Sequence, residues 1–297
     1  MALSSSASLV SDWLWPKIQT QTQYALASGA LQPIETRYQF LEQAGMRFLV
    51  RILANLVRKE QVKRQQPPDF NPFLPYEDDL FVANLSETHV CLLNKFNVVA
   101  HHILIITRAF EAQDSWLTLA DFQALAVAMA EIDGLGFYNS GPQAGASQHH
   151  KHLQLVPLPL APDTPTVPLD ALIAKAMPGP TPGTVPDLPF QHRIVSLSLD
   201  WSQPPQVAAG LLATYGTLLS ALGMSLQPPQ PSTPYNLLLT RQWMMVVMRS
   251  QESYRSIPVN ALGFAGSLLV KTPEQFARLK AVGPMTLLRH VAYPAST

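Results

Sequence analysis

Between Asp79 and Thr107 the chain carries three short strand-like segments, Asp79–Asn84, Thr88–Lys95 and His101–Thr107, each only a few residues from the next. Links that short can reverse a strand but cannot carry a parallel crossover, so the region predicts an antiparallel meander. Two hairpins extend the pattern. In Thr36–Leu53, Tyr38 and Phe40 precede the Gln43-Ala44-Gly45 turn, and Phe48, Val50 and Ile52 then alternate with Arg47 and Arg51. Tyr235–Thr240 and Trp243–Met248 flank Arg241-Gln242, and their methionine and tryptophan side chains are assigned to the core. Phe190–Leu199 alternates as a further strand.

Helices are expected at Val10–Ser28, with Pro16 marking a start or kink, and at Thr118–Asp133, Gln206–Leu222 and Thr272–Ala281. Thr118 and Asp121 form an approximate capping box, and Phe122, Leu125, Val127, Met129 and Ile132 supply an apolar face to lay on the sheet. Recurrent prolines from Pro157 to Pro189 mark an internal connector, partly mobile, with a short helical patch at Leu169–Ala176. The expected organisation is a covering segment, residues 1–34, and a single domain, residues 35–297, containing the connector 157–189.

Twenty basic residues balance twenty acidic ones, so no global field draws the chain to nucleic acid or an anionic membrane, and any anion site must be local. The single cysteine, Cys91, excludes an intramolecular disulfide and suits a reducing compartment; within HVCLLNKF it reads as a small core residue. Neither a signal peptide nor a membrane span is indicated, and a cytoplasmic protein is the expectation.

Chemistry concentrates in Phe137–Pro159, FYNSGPQAGASQHHKHLQLVPLP. A loop of glycines, amides and hydroxyls (Asn139, Ser140, Gly141, Gly145, Ala146, Ser147, Gln148) leads into an alternating segment. A strand there places His150, His152 and Gln154 on one face and Lys151, Leu153 and Leu155 on the other. Glycines let backbone approach an anion, and loop N–H groups form anion-binding concavities. A neutral imidazole beside bound phosphate can attack phosphorus, and a carboxamide can hold the charged product without transferring a proton. Two alternatives compete: a metal site, which lacks a nearby cysteine or carboxylate to complete a tetrahedral set, and a structural strand with incidental histidines.

GASQHHKHLQ resembles the histidine motif of the HIT superfamily, in the His-x-His-x-Gln form of its nucleotidyltransferase branch. NPFLPYEDDLFV, HVCLLNKFNVVAHHILIIT, FYNSGPQAGASQHHKHLQ, YNLLLTRQWMMVVMRS and NALGFAGSLLVK are similar, in order, to the diadenosine tetraphosphate phosphorylases, also called ATP adenylyltransferases. The resemblance covers about residues 35 to 285 and implies a HIT-like α+β fold, an antiparallel sheet flanked by helices. It implies that His152 is the nucleophile, that His150 orients it through backbone and packing, and that Gln154 holds the adenylyl group. It further implies phosphate contacts from Lys59, Asn139, Gly145, Ala146, Ser147 and Gln148, and nucleotide contacts from Asn94 and Lys95. Asn260, Ala261, Leu262, Ser267 and Lys271 would close over the second nucleotide or the leaving phosphates, with Ala261 and Leu262 limited to backbone or packing contacts.

The expected partners are a dinucleoside polyphosphate, ATP or ADP, and phosphate, with no nucleic acid and no membrane, and the chain acts as a monomer. No protein-bound cofactor or structural zinc is expected; Mg²⁺ would ride on the polyphosphate. Two other functions remain open: a related transferase acting on adenylyl sulfate or a nucleoside-diphosphate sugar, and a non-catalytic sensor of dinucleoside polyphosphates.

Overall fold

The computed structural model describes residues 13–54, 70–164, 166–225 and 233–295. Helix α1 (Leu14–Ser28) starts where Glu131 accepts from the Leu14 and Trp15 amides at 2.7 and 3.2 Å, two donors that a first helical turn cannot satisfy internally. Pro16 lies within that first turn, where its missing N–H costs nothing. Leu14, Ile18, Thr22 and Ala25 form the buried stripe, and Gly29, at φ +79°, ends the helix. Residues 10–12 of the expected helix lie outside the described residues.

Strands β1 (Thr36–Gln43) and β2 (Met46–Leu53) form the expected hairpin. Ala44 and Gly45, at φ 52° and 77°, make the two-residue turn whose twist matches paired strands. The meander follows as β3 (Phe81–Asn84), β4 (His89–Leu93) and β5 (Ile103–Thr107), with a short 3₁₀ turn before it. Helix α2 (Leu119–Glu131) carries a reciprocal capping box between Thr118 and Asp121. Strands β6 (Gly134–Asn139) and β7 (His152–Pro157) come next, then helix α3 (Asp170–Ala176), strand β8 (His192–Ser196), helix α4 (Pro204–Ala221) and the hairpin β9 (Tyr235–Leu239) and β10 (Trp243–Met248). The chain closes with a small pair, β11 (Ser253–Tyr254) and β12 (Ile257–Pro258), then α5 (Ala261–Phe264), β13 (Ser267–Val270), α6 (Pro273–Val282) and α7 (Pro284–Val291). The last helix has no counterpart among the sequence-based expectations.

Eight strands form one sheet in the order β3-β4-β5-β7-β6-β9-β10-β8, every neighbouring pair antiparallel. One face is covered by α1, α2 and α4 through Ile18, Phe122, Leu125, Leu211 and Tyr215, packed on Leu153 and Leu155 of β7. The other face meets a second layer that includes the three-stranded sheet β1-β2-β13, in which β13 runs parallel to β2. The proline-rich connector is anchored in this second layer and is not a loose linker: Leu160, Val167, Leu169, Leu172, Val185 and Leu188 are all buried there. Met244 and Met245 are likewise buried, as apolar side chains at strand spacing require.

Candidate active site

Between the two sheets lies a cavity of about 290 Å³ whose wall includes His152, Gln154, Asn139, Gly145, Ser147 and Gln148. Its lining continues through Asn94, Lys95 and His102, through Asn260, Leu262 and Ser267, and to an apolar end built from Phe73, Leu80, Leu92 and Leu104.

His152 opens β7 and is 4% exposed. Its Nδ1 lies 2.8 Å from the carbonyl oxygen of His150, which can only accept, so Nδ1 carries the proton. Nε2 therefore keeps its lone pair, and it has no hydrogen-bond partner among the described residues. Burial pushes the imidazole down to about 4, with the His150 carbonyl opposing, so the ring is neutral at pH 7.

His150 precedes the strand, and its side chain departs from the shared face that strict alternation predicts. It does not line the cavity: Nε2 donates to the Thr107 carbonyl at 2.8 Å, Nδ1 accepts from Asn71 at 3.0 Å, and Phe73 and Phe110 pack edge-on against the ring. The tertiary bonds to Thr107 and Asn71 override the two-residue period. What His150 delivers to His152 is its backbone carbonyl.

Gln113, absent from the sequence-based candidates, holds the backbone of His152. The β6–β7 register runs through Phe137↔Gln154, and two residues further it would set Asn139 opposite His152. Instead the Gln113 carboxamide enters between them. Its oxygen accepts from the His152 amide at 2.8 Å, and its nitrogen donates to the Asn139 carbonyl at 2.9 Å and the His152 carbonyl at 3.3 Å. A side-chain amide thus replaces a strand and spreads the sheet where the cavity opens.

Gln154 sits two residues beyond His152 on the same face. Its oxygen accepts from Nε2 of His102 at 3.0 Å, and Nδ1 of His102 lies 3.2 Å from the Asn94 amide nitrogen. This relay leaves the Gln154 amide N–H groups as the end able to donate into the cavity. The sequence offers His101 and His102 no partner; His102 is the buried member and belongs to the site. Behind β7, Lys151 is fully buried and reaches Asp121 at 2.8 Å and Glu111 at 3.0 Å, while His89 lies 3.1 Å from Asp121. Burial works to raise the Asp121 carboxyl, but the His89 hydrogen bond and the Lys151 ammonium bring it below the usual range.

The glycine loop turns on Gly141 and Gly145, at φ +80° and +91°. A Cβ on Gly145 would meet the Val259 carbonyl oxygen at 2.7 Å and Asn260 Cα at 2.9 Å, so only glycine lets this loop lie against the 259–260 backbone. Asn139 ties the two together: its oxygen accepts from the Asn236 side chain at 2.8 Å and from the Ala261 amide at 2.9 Å. Arg249, fully buried, donates to the Ala144 carbonyl at 2.9 Å, to Asn236 at 2.7 Å and to the Val291 carbonyl at 2.9 Å. Burial brings its guanidinium down to about 9, still cationic at neutral pH. Asn236 and Arg249 both lie within the YNLLLTRQWMMVVMRS block, yet neither is among the site residues that the resemblance implies.

Ser147, Gln148, Asn260, Leu262 and Ser267 line the cavity, whereas Ala146 and Ala261 are not part of its lining and Lys271 is exposed beyond the end of β13. Lys95 lines the wall with its ammonium 2.5 Å from Glu77. Lys59 lies outside the described residues, as do Arg58, Lys63 and Arg64. Among the described residues no cluster of three or more His, Cys, Asp or Glu could hold a metal, and no helix is long and apolar enough to cross a membrane.

An antiparallel sheet presenting one neutral, tautomer-fixed histidine beside a glycine turn is the HIT-like arrangement of a nucleotidyltransferase. Residues 4–175 match the family model of the Ap4A phosphorylase N-terminal domain and residues 186–294 that of the ATP adenylyltransferase C-terminal domain. The chain belongs to the Ap4A phosphorylase (ATP adenylyltransferase) family. It is 29% identical over 238 residues to diadenosine 5',5'''-P1,P4-tetraphosphate phosphorylase 2 of Saccharomyces cerevisiae, covering 70% of this chain and 71% of the yeast one. Protein APA1 of the same yeast is 28% identical, covering 80% and 79%. The crystal structures of yeast Ap4A phosphorylase Apa2, alone and in complex with Ap4A, superpose with a TM-score of 0.78 at 25% and 26% identity, covering 96% of this chain and 98% of the yeast one.

Proposed function

We propose that the protein catalyses reversible phosphorolysis of diadenosine tetraphosphate to ADP and ATP through an adenylyl-histidine. Nε2 of His152 forms a bond to the α-phosphorus of one adenylyl group as the bond to the bridging oxygen breaks, and that oxygen leaves with ATP. An oxygen of inorganic phosphate then attacks the same phosphorus, the P–N electrons return to Nε2, and ADP departs. The proton on Nδ1 stays in place throughout, and the His150 carbonyl faces the positive charge that develops on the ring.

The observation that carries this reading is the orientation of His152, with Nδ1 committed to a carbonyl and Nε2 unprotonated on a nucleotide-sized cavity. Gln154 donates to the transferred phosphoryl group, and Ser147, Gln148 and the loop amides hold its remaining oxygens. Asn94, Lys95, Asn260, Leu262 and Ser267 bind the nucleotides. Positioning and charge stabilisation suffice for such a transfer, so a site whose one described lining carboxylate, Glu77, is paired with Lys95 is consistent with it. Mg²⁺ enters as part of the polyphosphate, and the protein works as a cytoplasmic monomer.

Adding Ap4A without phosphate and weighing the intact protein tests the mechanism. One added adenylyl group, mapped to His152 and lost in His152→Ala, is the expected result. Turnover without any adduct, or an adduct on another residue, would overturn it; adenylyl sulfate or a nucleotide sugar loading the protein in preference to Ap4A would favour the related transferase.

A further inference from the structure

Arg51 is 9% exposed and lines the cavity, yet it makes no ion pair among the described residues. It lies on β2, the central strand of the three-stranded sheet, opposite Leu269 of β13, with Leu49 opposite Ser267. Ser267 and Leu269 also line the cavity, so this sheet face is the wall across from His152. Among the described residues the guanidinium is held by neutral acceptors alone: Nη1 donates to the Thr36 hydroxyl at 3.2 Å and Nη2 to the Leu160 carbonyl. Nε is shielded from solvent and has no hydrogen-bond partner among the described residues.

A buried guanidinium without an anion is costly, because neutral acceptors do not return the lost hydration of a full charge. Burial accordingly lowers its pKa. The other Lys or Arg on the described wall, Lys95, already faces Glu77. The planar fork keeps donors in hand, and phosphate is the anion whose geometry suits it.

We propose that Arg51 binds the phosphates that leave with ATP, a role resting on the phosphorolysis reading above. The phosphorus bonded to Nε2 of His152 belongs to the eight-stranded wall. A cation on the opposite sheet serves the phosphates beyond it, and it sets a preference for donors whose leaving group is itself a polyphosphate.

Calorimetric titration of the full chain with ATP and with AMP tests this in the wild type and in Arg51→Gln and Arg51→Met. A charge-assisted hydrogen-bond pair lost from ATP alone lowers its affinity by about 10- to 100-fold while AMP binds as before. Arg51→Lys, which restores a point charge, should recover part of the ATP affinity. Equal loss for ATP and AMP would assign Arg51 a structural role, and no loss for either would remove it from the site. Either result overturns the proposal. Should Arg51→Met fail to fold, Arg51→Gln, which keeps a donor for the Leu160 carbonyl, decides the question. Failure of the wild type to phosphorolyse Ap4A would sink the reaction while leaving the ATP-against-AMP comparison intact.

Discussion

Replacing Gln113 by methionine keeps the length of the side chain and removes both ends of its carboxamide. The His152 amide then loses its partner at 2.8 Å, the His152 carbonyl loses its longer contact, and the Asn139 carbonyl loses one of two donors, keeping the Gly141 amide at 3.0 Å. An unsatisfied buried polar group costs about 1–3 kcal/mol, so the orphaned His152 amide alone places the loss at roughly 1–3 kcal/mol. That is a sizeable part of the ~5–15 kcal/mol that holds a typical domain together, and the variant should still fold. The effect on chemistry has a separate origin. His152 would be free to close on Asn139 as an ordinary strand pair, which moves its Nε2 relative to the loop amides, and a displacement near 1 Å can cost on the order of 100-fold in rate. Urea denaturation measures the first quantity, and the single-turnover rate of adenylyl-protein formation measures the second. A variant with wild-type stability would show that water or rearrangement replaces the carboxamide. A destabilised variant with an unchanged adenylylation rate would show that Gln113 supports the sheet and does not position His152.

Gly145→Ala forces a Cβ into the 259–260 backbone at a φ of +91°, and should cost about 1–3 kcal/mol in thermal stability while raising KM for the nucleotide; an unchanged KM would detach the loop from binding. The pH dependence follows from His152 and His192, both lowered by burial from 6.5 to about 4. Between those values the unfolded chain binds more protons than the folded one, so their contribution is complete above pH 6.5 and declines as pH falls toward 4, by about 3 kcal/mol for each ring. Melting curves from pH 7 to pH 4 should show that decline, and a flat profile would refute the burial of both rings as neutral species.

Much of the scaffold could be read from the chain because local chemistry and tertiary packing agree there. The Ala44-Gly45 turn, the Thr118 cap and the short apolar runs of β4, β5 and β10 each point to what formed. The site was legible where residues cluster in sequence, as Gly145, Ser147, Gln148, His152 and Gln154 do. It was opaque where a function is assembled from isolated polar residues. Gln113 and Asn236 look like ordinary amides, Arg51 looks like a solvent-facing position of its strand, Arg249 looks like a polar residue just past the end of one, and His102 acquires meaning only from Asn94 and Gln154, which lie on either side of it in the fold. His150 shows the opposite error: a regular spacing suggested a second cavity-facing ring, but hydrogen bonds to Thr107 and Asn71 turned it away.

Strand β6 pairs with β9, and that pairing ends on Asn139 beside Asn236. The seam lies between the stretches matched by the two family models, so the division seen in sequence is not a division of the working molecule. Severed at the connector, the first stretch would hold His152 but present β6 as a bare edge, open to pairing with other chains. The second would keep Asn260, Leu262 and Ser267 with nothing to close upon. Evolution can vary the two stretches at different rates, but only where neither alters the strand edge they share.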